Sequence, residues 1–378
     1  YSSYCYWSAS YDGNDFTDQP TSIGGSGIEE LDVFAGELYA TGSMQTIGSL
    51  RPGIYKWTGT TWIGAGFINN TPKAIFADGN DLYVGNKGGE IYKKTGTGSF
   101  LPLPSLDNSS DDILVMTKYN GALIIGGSLD AYNSTSLNNI ARFDGTDWLP
   151  LGTGLSGGMF GGKVICMAVY QNELYVGGSF VNAGGQSSKF IAKWDGTNWS
   201  DVGGSMTGAG YNGVEDMVVH DNKLFIVGDF DEMGGVASNL VSMWDGTTWH
   251  DLTLPFSGGI GTCIEVFNNK LYASTWDFNQ SHLHSMDLST VSIQNIDKNK
   301  IDFNIYPNPS TGILNIELQE EVEGVLVDLI NTLGKVVFSQ AVNFDSNIQI
   351  DVQNQPLGIY YIKIRAGDKV GLKKIVLR

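Results

Sequence analysis

Short runs in which hydrophobic and polar residues alternate, each ended by a Gly, Asn or Asp turn, follow one another along most of the chain. This period of two is the pattern of β-strands that bury one face. Within residues 165–202 it predicts four strands, at 165–170, 174–180, 190–194 and 199–202. Four short strands in about 45 residues are typical of one blade of a β-propeller. The pattern therefore predicts an all-β fold.

One phrase repeats at a spacing that supports this architecture. It consists of an aromatic residue, a turn that contains Gly and Thr, and a second aromatic residue, which is Trp in the clear copies. The clear copies lie at 57–62, 143–148, 194–199 and 244–249, and weaker ones at 11–16, 94–100 and 286–291. Asp-Gly favours the positive φ of a tight turn, so each copy predicts a hairpin between the last two strands of a blade.

A second phrase, Leu-Tyr or a similar pair, lies upstream of every copy except the first. It follows turns such as Gln171-Asn172, Asp221-Asn222 and Asn268-Asn269, which predict a hairpin between the first two strands of a blade. We favour seven blades, with six as the alternative if the N-terminal strands complete the last blade. A β-helix has shorter repeats and a sandwich lacks such self-similarity.

The repeats resemble propellers of the kelch and galactose-oxidase type. They are more similar still to repetitive surface proteins through Gly177-Gly-Ser-Phe180 and Ala192-Lys-Trp-Asp-Gly-Thr-Asn-Trp199. The resemblance covers approximately residues 1–295. It implies an architecture and no particular activity.

The pattern changes near residue 300, where the polar stretch 294–300 has no repeat phrase on either side. We expect a propeller at 1–295, a linker at 296–301 and a second domain at 302–378. Roughly seven short strands in the second domain suit a small immunoglobulin-like β-sandwich. The clearest of these runs lie at 312–318, 324–329, 335–338, 348–352, 358–364 and 371–377.

Four motifs carry a resemblance of residues 302–378 to the type A C-terminal sorting domain of the type IX secretion system. They are Tyr306-Pro-Asn-Pro-Ser-Thr-Gly312, Asp328-Leu-Ile-Asn-Thr-Leu-Gly334, Leu357-Gly-Ile-Tyr360 and Lys373-Lys-Ile-Val-Leu-Arg378. The resemblance implies a sorting signal that includes Tyr306, Pro307, Asn308, Pro309, Gly312, Gly334, Gly358, Tyr360, Lys373 and Lys374.

The same resemblance implies partners and a location. The tail would bind the type IX translocon and its outer-membrane shuttle protein, and the chain would be exported across the outer membrane to the cell surface or the extracellular space. A sortase-like peptidase would then be able to remove the tail and attach the product to surface glycolipid. Independently of the family, Pro307 and Pro309 predict an extended segment before the first strand. A generic sandwich module is the alternative.

The charge distribution narrows the choice of partners. Of the net charge of −18, most lies in residues 1–301, which contain 15 Lys and Arg against 31 Asp and Glu. Such a surface disfavours nucleic acid and bare anionic membrane as partners. No apolar run reaches the length of a membrane span, and the start at Tyr1 without Met or a leader suggests a mature or trimmed chain. Cys5, Cys166 and Cys263 form no metal or disulfide pattern and are expected to be buried free thiols.

The candidate ligand site lies on long Gly-rich loops. The connections between the second and third strands, and those between blades, share one face, which is the expected binding surface. There Asp229 and Asp231 predict a weak calcium site, although the later ligands of an EF-hand loop are missing and a solvated acidic loop is the alternative. His282 and His284 share one side of an extended segment as a metal pair without an evident third ligand, with surface histidines as the alternative.

Aromatic and basic residues argue against two familiar propeller activities. The repeated Trp residues are expected to pack between blades or under the hairpin, with sugar stacking as the alternative; they are Trp62, Trp148, Trp199 and Trp249. A sialidase needs an arginine triad, whereas the propeller contains only Arg51 and Arg142. The copper site of galactose oxidase has no evident counterpart.

The sequence therefore favours a non-catalytic module that binds a glycan or a protein. No catalytic residue is assigned, and no cofactor is expected beyond the calcium ion. The alternative is an extracellular polysaccharide-active enzyme in which loop Asp or Glu residues form an acid/base pair. A role as spacer or passenger is a third interpretation.

Overall fold

The computed structural model describes most of the chain as strands and turns. The described residues are 9–11, 16–18, 27–46, 49–158, 161–204, 206–208, 213–252, 259–276, 281–288, 301, 303–318, 324–331, 336–342, 347–366 and 369–378. No helix in these ranges is long and apolar enough to cross a membrane. The backbone divides into two compact units, Tyr1–Thr290 and Val291–Arg378. Most of the predicted linker at 296–301 lies outside the described residues, so the domain boundaries stay predictions.

The first unit is a series of antiparallel sheets. Its first strands, β1 (Ala9–Tyr11) and β2 (Phe16–Asp18), form a two-stranded sheet. The first four-stranded sheet contains β3 (Gly27–Phe34), β4 (Glu37–Thr46), β5 (Ser49–Trp57) and β6 (Trp62–Gly66). The second contains β7 (Pro72–Asp78), β8 (Asp81–Asn86), β9 (Ile91–Thr95) and β10 (Leu101–Pro102). The third contains β11 (Asp112–Tyr119), β12 (Ala122–Ser128), then, beyond a separate hairpin of β13 (Ala131–Tyr132) and β14 (Thr135–Ser136), β15 (Ile140–Phe143) and β16 (Trp148–Pro150).

The fourth and fifth sheets each carry an additional small sheet. The strands of the fourth region are β17 (Leu155–Ser156), β18 (Val164–Tyr170), β19 (Glu173–Gly178), β20 (Asn182–Ala183), β21 (Gln186–Ser187), β22 (Ile191–Trp194) and β23 (Trp199–Ser200). Those of the fifth are β24 (Met206–Thr207), β25 (Val214–His220), β26 (Lys223–Gly228), β27 (Glu232–Met233), β28 (Val236–Ala237), β29 (Val241–Trp244) and β30 (Trp249–Asp251). The main sheets are β18-β19-β22-β23 and β25-β26-β29-β30, and the small sheets are β17-β20-β21 and β24-β27-β28. The sixth sheet contains β31 (Ile260–Phe267), β32 (Lys270–Trp276) and β33 (Ser281–Asp287).

The core of the first unit lies between consecutive sheets. The first strands of the six sheets, β3, β7, β11, β18, β25 and β31, neighbour one another in this order. Four hydrophobic clusters of the described residues accordingly combine two consecutive sheets. Ile124 of the third sheet, for example, shares a cluster with Leu174 of the fourth, and both side chains are buried. The four strands predicted within 165–202 are observed as β18, β19, β22 and β23.

The two kinds of hairpin turn differ in mechanism. Gln171 and Asn172 both have positive φ, 49° and 64°, as a two-residue primed turn requires. The Asp-Gly turns are longer than that. Trp194 pairs with Trp199 across four residues, and the Asp195 side chain accepts hydrogen bonds from the backbone nitrogens of the third and fourth turn residues, both at 2.7 Å. Gly196 has the expected positive φ of 104°, but the aspartate side chain closes the turn.

The second unit is a sandwich of two antiparallel sheets. Its strands are β34 (Phe303–Tyr306), β35 (Ile313–Leu318), β36 (Val325–Asn331), β37 (Val336–Val342), β38 (Asn347–Asp351), β39 (Gly358–Ala366) and β40 (Lys369–Leu377). The sheets are β34-β35-β38 and β37-β36-β39-β40. Both contribute to a single core, in which Phe303, Leu314, Val327 and Ile362 are fully buried. The alternating runs of the sequence therefore place their hydrophobic side chains between two sheets, as expected.

Candidate functional site

The long connections of the first unit are ordered by short strands. In the fourth and fifth sheets, the segment before the first strand pairs with the hairpin between the second and third strands, through Leu155 opposite Ala183 and Met206 opposite Met233. All four side chains are apolar and buried. The face expected to bind a ligand is thus held by backbone pairing, at the end of the sheets opposite the short turns.

The predicted metal ligands lie in two separate places, near the hairpin of β27 and β28 and on β33. Asp231 is exposed at the start of the hairpin formed by β27 and β28, and Asp229 is half-buried two residues earlier. The rings of His282 and His284 lie 6.3 Å apart on β33. Within the ranges that the structure describes, no group of three or more His, Cys, Asp or Glu side chains could hold a metal ion.

The repeated Trp residues connect consecutive sheets. Each indole Nε1 of Trp148, Trp199 and Trp249 donates a hydrogen bond to a backbone carbonyl at the end of the preceding sheet. The acceptors are Pro104 at 2.7 Å, Leu151 at 2.8 Å and Val202 at 2.8 Å, respectively. Each ring also packs against the aromatic residue that begins its turn, with centroids 4.8 to 5.2 Å apart. These contacts agree with packing between blades, and Trp62 makes the same kind of pair with Trp57.

Acidic side chains link the first strands of neighbouring sheets. Glu30 on β3 accepts a hydrogen bond from the backbone nitrogen of Ile75 on β7 at 2.6 Å, and Asp32 accepts one from Ala77 at 2.7 Å. Because β7 is the edge strand of its sheet, these nitrogens have no partner strand of their own sheet on that side. The carboxylates thereby satisfy an edge that would otherwise expose unpaired donors.

Asp216 repeats this contact in the fifth sheet. It accepts hydrogen bonds from the backbone nitrogens of Ile264 on β31 at 2.9 Å and of its own neighbour Met217 at 2.8 Å. Asp216 and Glu30 are equivalent, since each directly follows a register shift in its strand. Neither role was predicted from the sequence.

The thiols Cys166 and Cys263 occupy the same strand position in the fourth and sixth sheets. Both are free. Cys166 is buried, with its Sγ 3.9 Å from the Val214 carbonyl of the next sheet, as expected. Cys263 is exposed, so the prediction of a buried thiol is wrong there. Cys5 lies outside the described residues.

The carboxyl groups on the first strands have unusual proton affinities. The strands around Glu30 remove water from its carboxylate and raise its pKa from 4.5 to about 8. The Ile75 hydrogen bond opposes this shift, and the negative charges of Asp32 and Asp216 add to it. Burial likewise raises the pKa of Asp216 to about 6. Protons on these groups therefore reduce repulsion between neighbouring strands.

We expect the first unit to lose stability as the pH rises from about 4.5 to about 8, the unfolded and folded pKa values of Glu30, and Glu30→Gln to remove much of this loss. A carboxyl group with a raised folded-state pKa contributes stability that is full below its unfolded pKa and is lost as the pH rises through the folded pKa. Gln retains an oxygen that can accept the Ile75 hydrogen bond. All nine Trp residues precede residue 290, so urea unfolding followed by Trp fluorescence reports on this unit alone. The same pH dependence in wild type and variant would refute the assignment, and Glu37→Gln, at an exposed position, is the control.

In the second unit, the segment 306–312 lies along the edge of β40. Ser310 forms a parallel bridge with Leu377, its nitrogen donating to the Val376 carbonyl and its carbonyl accepting from the Arg378 nitrogen, both at 2.9 Å. The Asn308 side chain accepts a hydrogen bond from the Val376 nitrogen at 3.0 Å. The first and last of the four predicted motifs are therefore joined directly.

Three predicted signal residues have evident roles in the sandwich itself. Tyr360 is buried, and its hydroxyl donates to the Pro356 carbonyl at 2.8 Å. Gly312 has φ +131°, and a Cβ at this position would lie 2.3 Å from the Gln353 side chain. The Lys373 ammonium lies 5.4 Å from the centroid of a buried aromatic ring, that of Phe303. These positions constrain the fold whether or not a partner contacts them.

The remaining predicted residues are less closely packed. Pro307 and Pro309 are exposed, and the peptide bonds that precede both are cis. Gly358 is the first residue of β39, and Lys374 pairs with Tyr361 across β39 and β40. Gly334 lies outside the described residues.

One polar contact in this unit was missed by the sequence analysis. Asp328 is buried in β36 and accepts hydrogen bonds from the Ser339 hydroxyl at 2.6 Å and from the Arg365 guanidinium at 2.7 Å. These residues come from the two strands that flank β36. An acidic residue in an otherwise apolar strand was the available signal, because a buried carboxylate requires partners.

Comparison with known families agrees with this geometry. Residues 304–378 match the family model described as the secretion system C-terminal sorting domain. This segment is a type IX sorting domain. The sorting domain marks the chain for export across the outer membrane to the cell surface or the extracellular space, and it implies an interaction with the type IX secretion machinery. The resemblance of the tail is thereby confirmed.

Comparison with solved structures gives distant similarities. The computationally designed Ika8 protein is 11% identical, covers 100% of this chain with 98% of its own, and has a TM-score of 0.46. The WD40 β-propeller domain of Doa1 is 10% identical, with 92% of each chain covered and a TM-score of 0.41. No curated protein matches the sequence. The kelch type of the first unit stays a prediction.

The sorting domain exposes apolar side chains near the edge of β40, along which the segment 306–312 lies. Tyr306, Leu357 and Ile359 are 48%, 75% and 41% exposed. Ile359 pairs with Val376, the residue whose backbone nitrogen donates to Asn308. Side chains from three of the four motifs therefore lie around the end of β40, which makes this region the accessible part of the predicted signal.

Proposed function

We propose that the first unit is a β-propeller that acts as a binding module of an exported type IX cargo protein. Its ligand would be a glycan or a protein. The observation that carries the proposal is the side-by-side order of the six first strands, with carboxylate contacts that link neighbouring sheets. The ordered long connections on one face supply a surface of the kind on which propellers bind ligands.

The electrostatic effect of Asp216 on Glu30 supports a closed or strongly curved arrangement. Asp216 raises the pKa of Glu30, although the two residues belong to the fifth and first sheets. In a straight stack with a spacing of about 10 Å between sheets, they would be about 40 Å apart. Charges separated by much more than a Debye length of roughly 10 Å are screened from each other. First strands arranged around a common axis bring the two carboxylates close enough.

Seven blades are the count that we favour. Tyr11 on β1 pairs with Phe16 on β2 in the way that Trp194 pairs with Trp199, so this hairpin corresponds to the third and fourth strands of a blade. Added to five four-stranded sheets and the three-stranded sixth sheet, it supports a seventh blade. Six blades would require β1 and β2 to join the sixth sheet.

For the sorting domain we propose the translocon and its outer-membrane shuttle protein as partners. The segment 306–312 and the adjoining end of β40 would form the contact surface. Its exposed apolar residues, Tyr306, Leu357 and Ile359, are the side chains available to such a partner.

Binding by the full-length protein tests the proposed module. Arrays of glycans and of extracellular proteins, probed with and without calcium, are expected to show saturable binding to a restricted set of ligands. An unrelated protein of similar net charge is the control for non-specific attraction. Binding no stronger than that control across both arrays would reject the module and leave the role of spacer or passenger.

A further inference from the structure

An open groove separates the second and third sheets at the end that carries the short turns. Its volume is about 870 Å³, within the range of pockets that hold small ligands. The aromatic rings of Tyr83 and Phe143 and the prolines of 102–104 line it, together with the turns 120–121 and 144–146. Two cationic side chains, Lys93 and Arg142, also line the groove.

The repeat explains why one of these cations is unusual. In the first, second and fourth sheets, a Lys on the third strand forms an ion pair with the acidic residue that begins the second strand. These pairs are Lys56 with Glu37 at 2.9 Å, Lys93 with Asp81 at 2.9 Å, and Lys193 with Glu173 at 2.7 Å. Arg142 occupies the corresponding position in the third sheet, where it pairs with Ile124 as Lys193 pairs with Tyr175.

The third sheet lacks the acidic partner. Its second strand begins with Ala122 instead of an acidic residue. Arg142 is exposed and, among the residues that the structure describes, makes no hydrogen bond or ion pair. The Asp144 carboxylate accepts hydrogen bonds at Oδ1 from the backbone nitrogens of Asp147 and Thr146, which lower its pKa, and the nearby Arg142 charge lowers it further. The guanidinium is therefore available to an external anion.

We propose that this groove binds a saccharide that carries a single carboxylate, such as a terminal uronic acid. The Arg142 guanidinium would pair with the carboxylate through two parallel hydrogen bonds, a geometry that guanidinium favours over ammonium. The rings of Tyr83 and Phe143 line the groove beside these cations, with the Lys93 ammonium 5.5 Å from the centroid of the Tyr83 ring. Lys93 and Thr146 are placed to bind hydroxyl groups. The inference rests on the proposed binding function and names its ligand class and its site.

Two features favour such a sugar over other anions. An extended peptide binds best by adding a strand to an exposed sheet edge, but here the edge strand of the second sheet runs into Pro102 and Pro104, which have no N–H to donate. A polyanion would be repelled by residues 1–301, in which Asp and Glu outnumber Lys and Arg by 31 to 15. A single carboxylate gains the Arg142 contact with little of this repulsion.

Calorimetric titration of the full-length protein with cellobiouronic acid tests the proposal, and cellobiose is the matched neutral sugar. We expect cellobiose to bind at least about tenfold more weakly, because it lacks the charge-assisted contact. Arg142→Gln and Ala122→Glu should each weaken binding of the acid by a similar factor. Ala122→Glu supplies the acidic partner found in three other sheets. The new carboxylate would form an ion pair with Arg142, so that the guanidinium is retained but is no longer available to the sugar. Lys193→Gln, a change at the equivalent position of the fourth sheet, is the control and should leave affinity unchanged.

The outcomes separate this site from the wider function. Unchanged Trp fluorescence shows that the variants are folded. Equal affinity of wild type, Arg142→Gln and Ala122→Glu for cellobiouronic acid would overturn the groove as the site while leaving a binding module. Displacement of the sugar by an oligoglutamate peptide would overturn the ligand class. Array binding without any binding of cellobiouronic acid would also overturn the inference, whereas no binding on any array would reject the proposed function itself.

Discussion

Deletion of residues 373–378 from the full chain is expected to abolish secretion and leave the protein in the periplasm. These residues end β40, which supplies Ile375 and Leu377 to the core of the sorting domain. They also provide the backbone partners of Ser310. Without them β39 becomes an edge strand with unpaired backbone groups, and the segment 306–312 loses the strand against which it lies. Immunoblots of periplasm, cell surface and medium measure the distribution.

A second variant separates recognition from folding. Lys374→Ala retains the backbone of β40, both buried apolar residues and the contact of Lys373 with the Phe303 ring. If the basic end of the chain is recognised, this variant keeps a wild-type circular dichroism spectrum of the sandwich and is still exported poorly. Secretion of the deletion variant at the wild-type level would show that the end of β40 is not part of the sorting signal.

Local features of the repeat were predictable from the sequence because the forces that produce them are local. The alternation within 165–202 reports which side chains face a neighbouring sheet, and the pair Gln171-Asn172 adopts the positive φ values that its turn requires. The Asp-Gly turn was predicted in the right place, but the hydrogen bonds of the aspartate side chain that close it were not predicted. Asp195 accepts hydrogen bonds from two backbone nitrogens only because the loop has four residues. The Asp-Gly dipeptide alone does not distinguish that loop from a shorter one.

Contacts between distant segments were not predictable in this way. Asn308 and Val376 are separated by 68 positions, and their hydrogen bond exists because the sandwich brings the first motif to the edge of the last strand. Glu30 looks like a solvated strand residue in the sequence. Only the position of Ile75 in the next sheet reveals that its carboxylate satisfies an edge nitrogen.

The signal for Arg142 was present in the sequence but was used for another purpose. When the repeats are aligned, Ala122 is the first residue of its second strand. In the three sheets with a Lys on the third strand, that position is acidic and is occupied by Glu37, Asp81 and Glu173. Arg142 entered the sequence-based interpretation only as one of two arginines, too few for the triad of a sialidase. The strand register shows that the first residue of the second strand lies close to the third strand. Replacement of an acidic residue by Ala122 therefore leaves Arg142 without the ion pair found in three other sheets.

Gly203→Ala is expected to destabilise the first unit by about 3 kcal/mol or more. Gly203 has φ +68°, a conformation that costs a residue with a Cβ roughly 1–2 kcal/mol. A Cβ at this position would also lie 2.4 Å from Trp244 Cζ3 and 3.0 Å from Trp249 Nε1. Those rings cannot move freely, because the Trp249 indole donates to the adjacent Val202 carbonyl at 2.8 Å. Overpacking of this kind adds roughly 1–3 kcal/mol.

Gly235→Ala is the matched control, because Gly235 has a similar φ of +83° but no neighbouring atom within 4 Å of a Cβ at that position. Gly235→Ala should lower the free energy of unfolding only through the unfavourable backbone conformation, by about 1–2 kcal/mol. The difference between the variants, measured by urea unfolding with Trp fluorescence, then isolates the contact of Gly203 with the Trp pair of the next sheet. Equal unfolding midpoints for the two variants would mean that Trp244 and Trp249 yield without cost, and that the Trp residues of the repeat do not hold consecutive sheets together as their hydrogen bonds indicate.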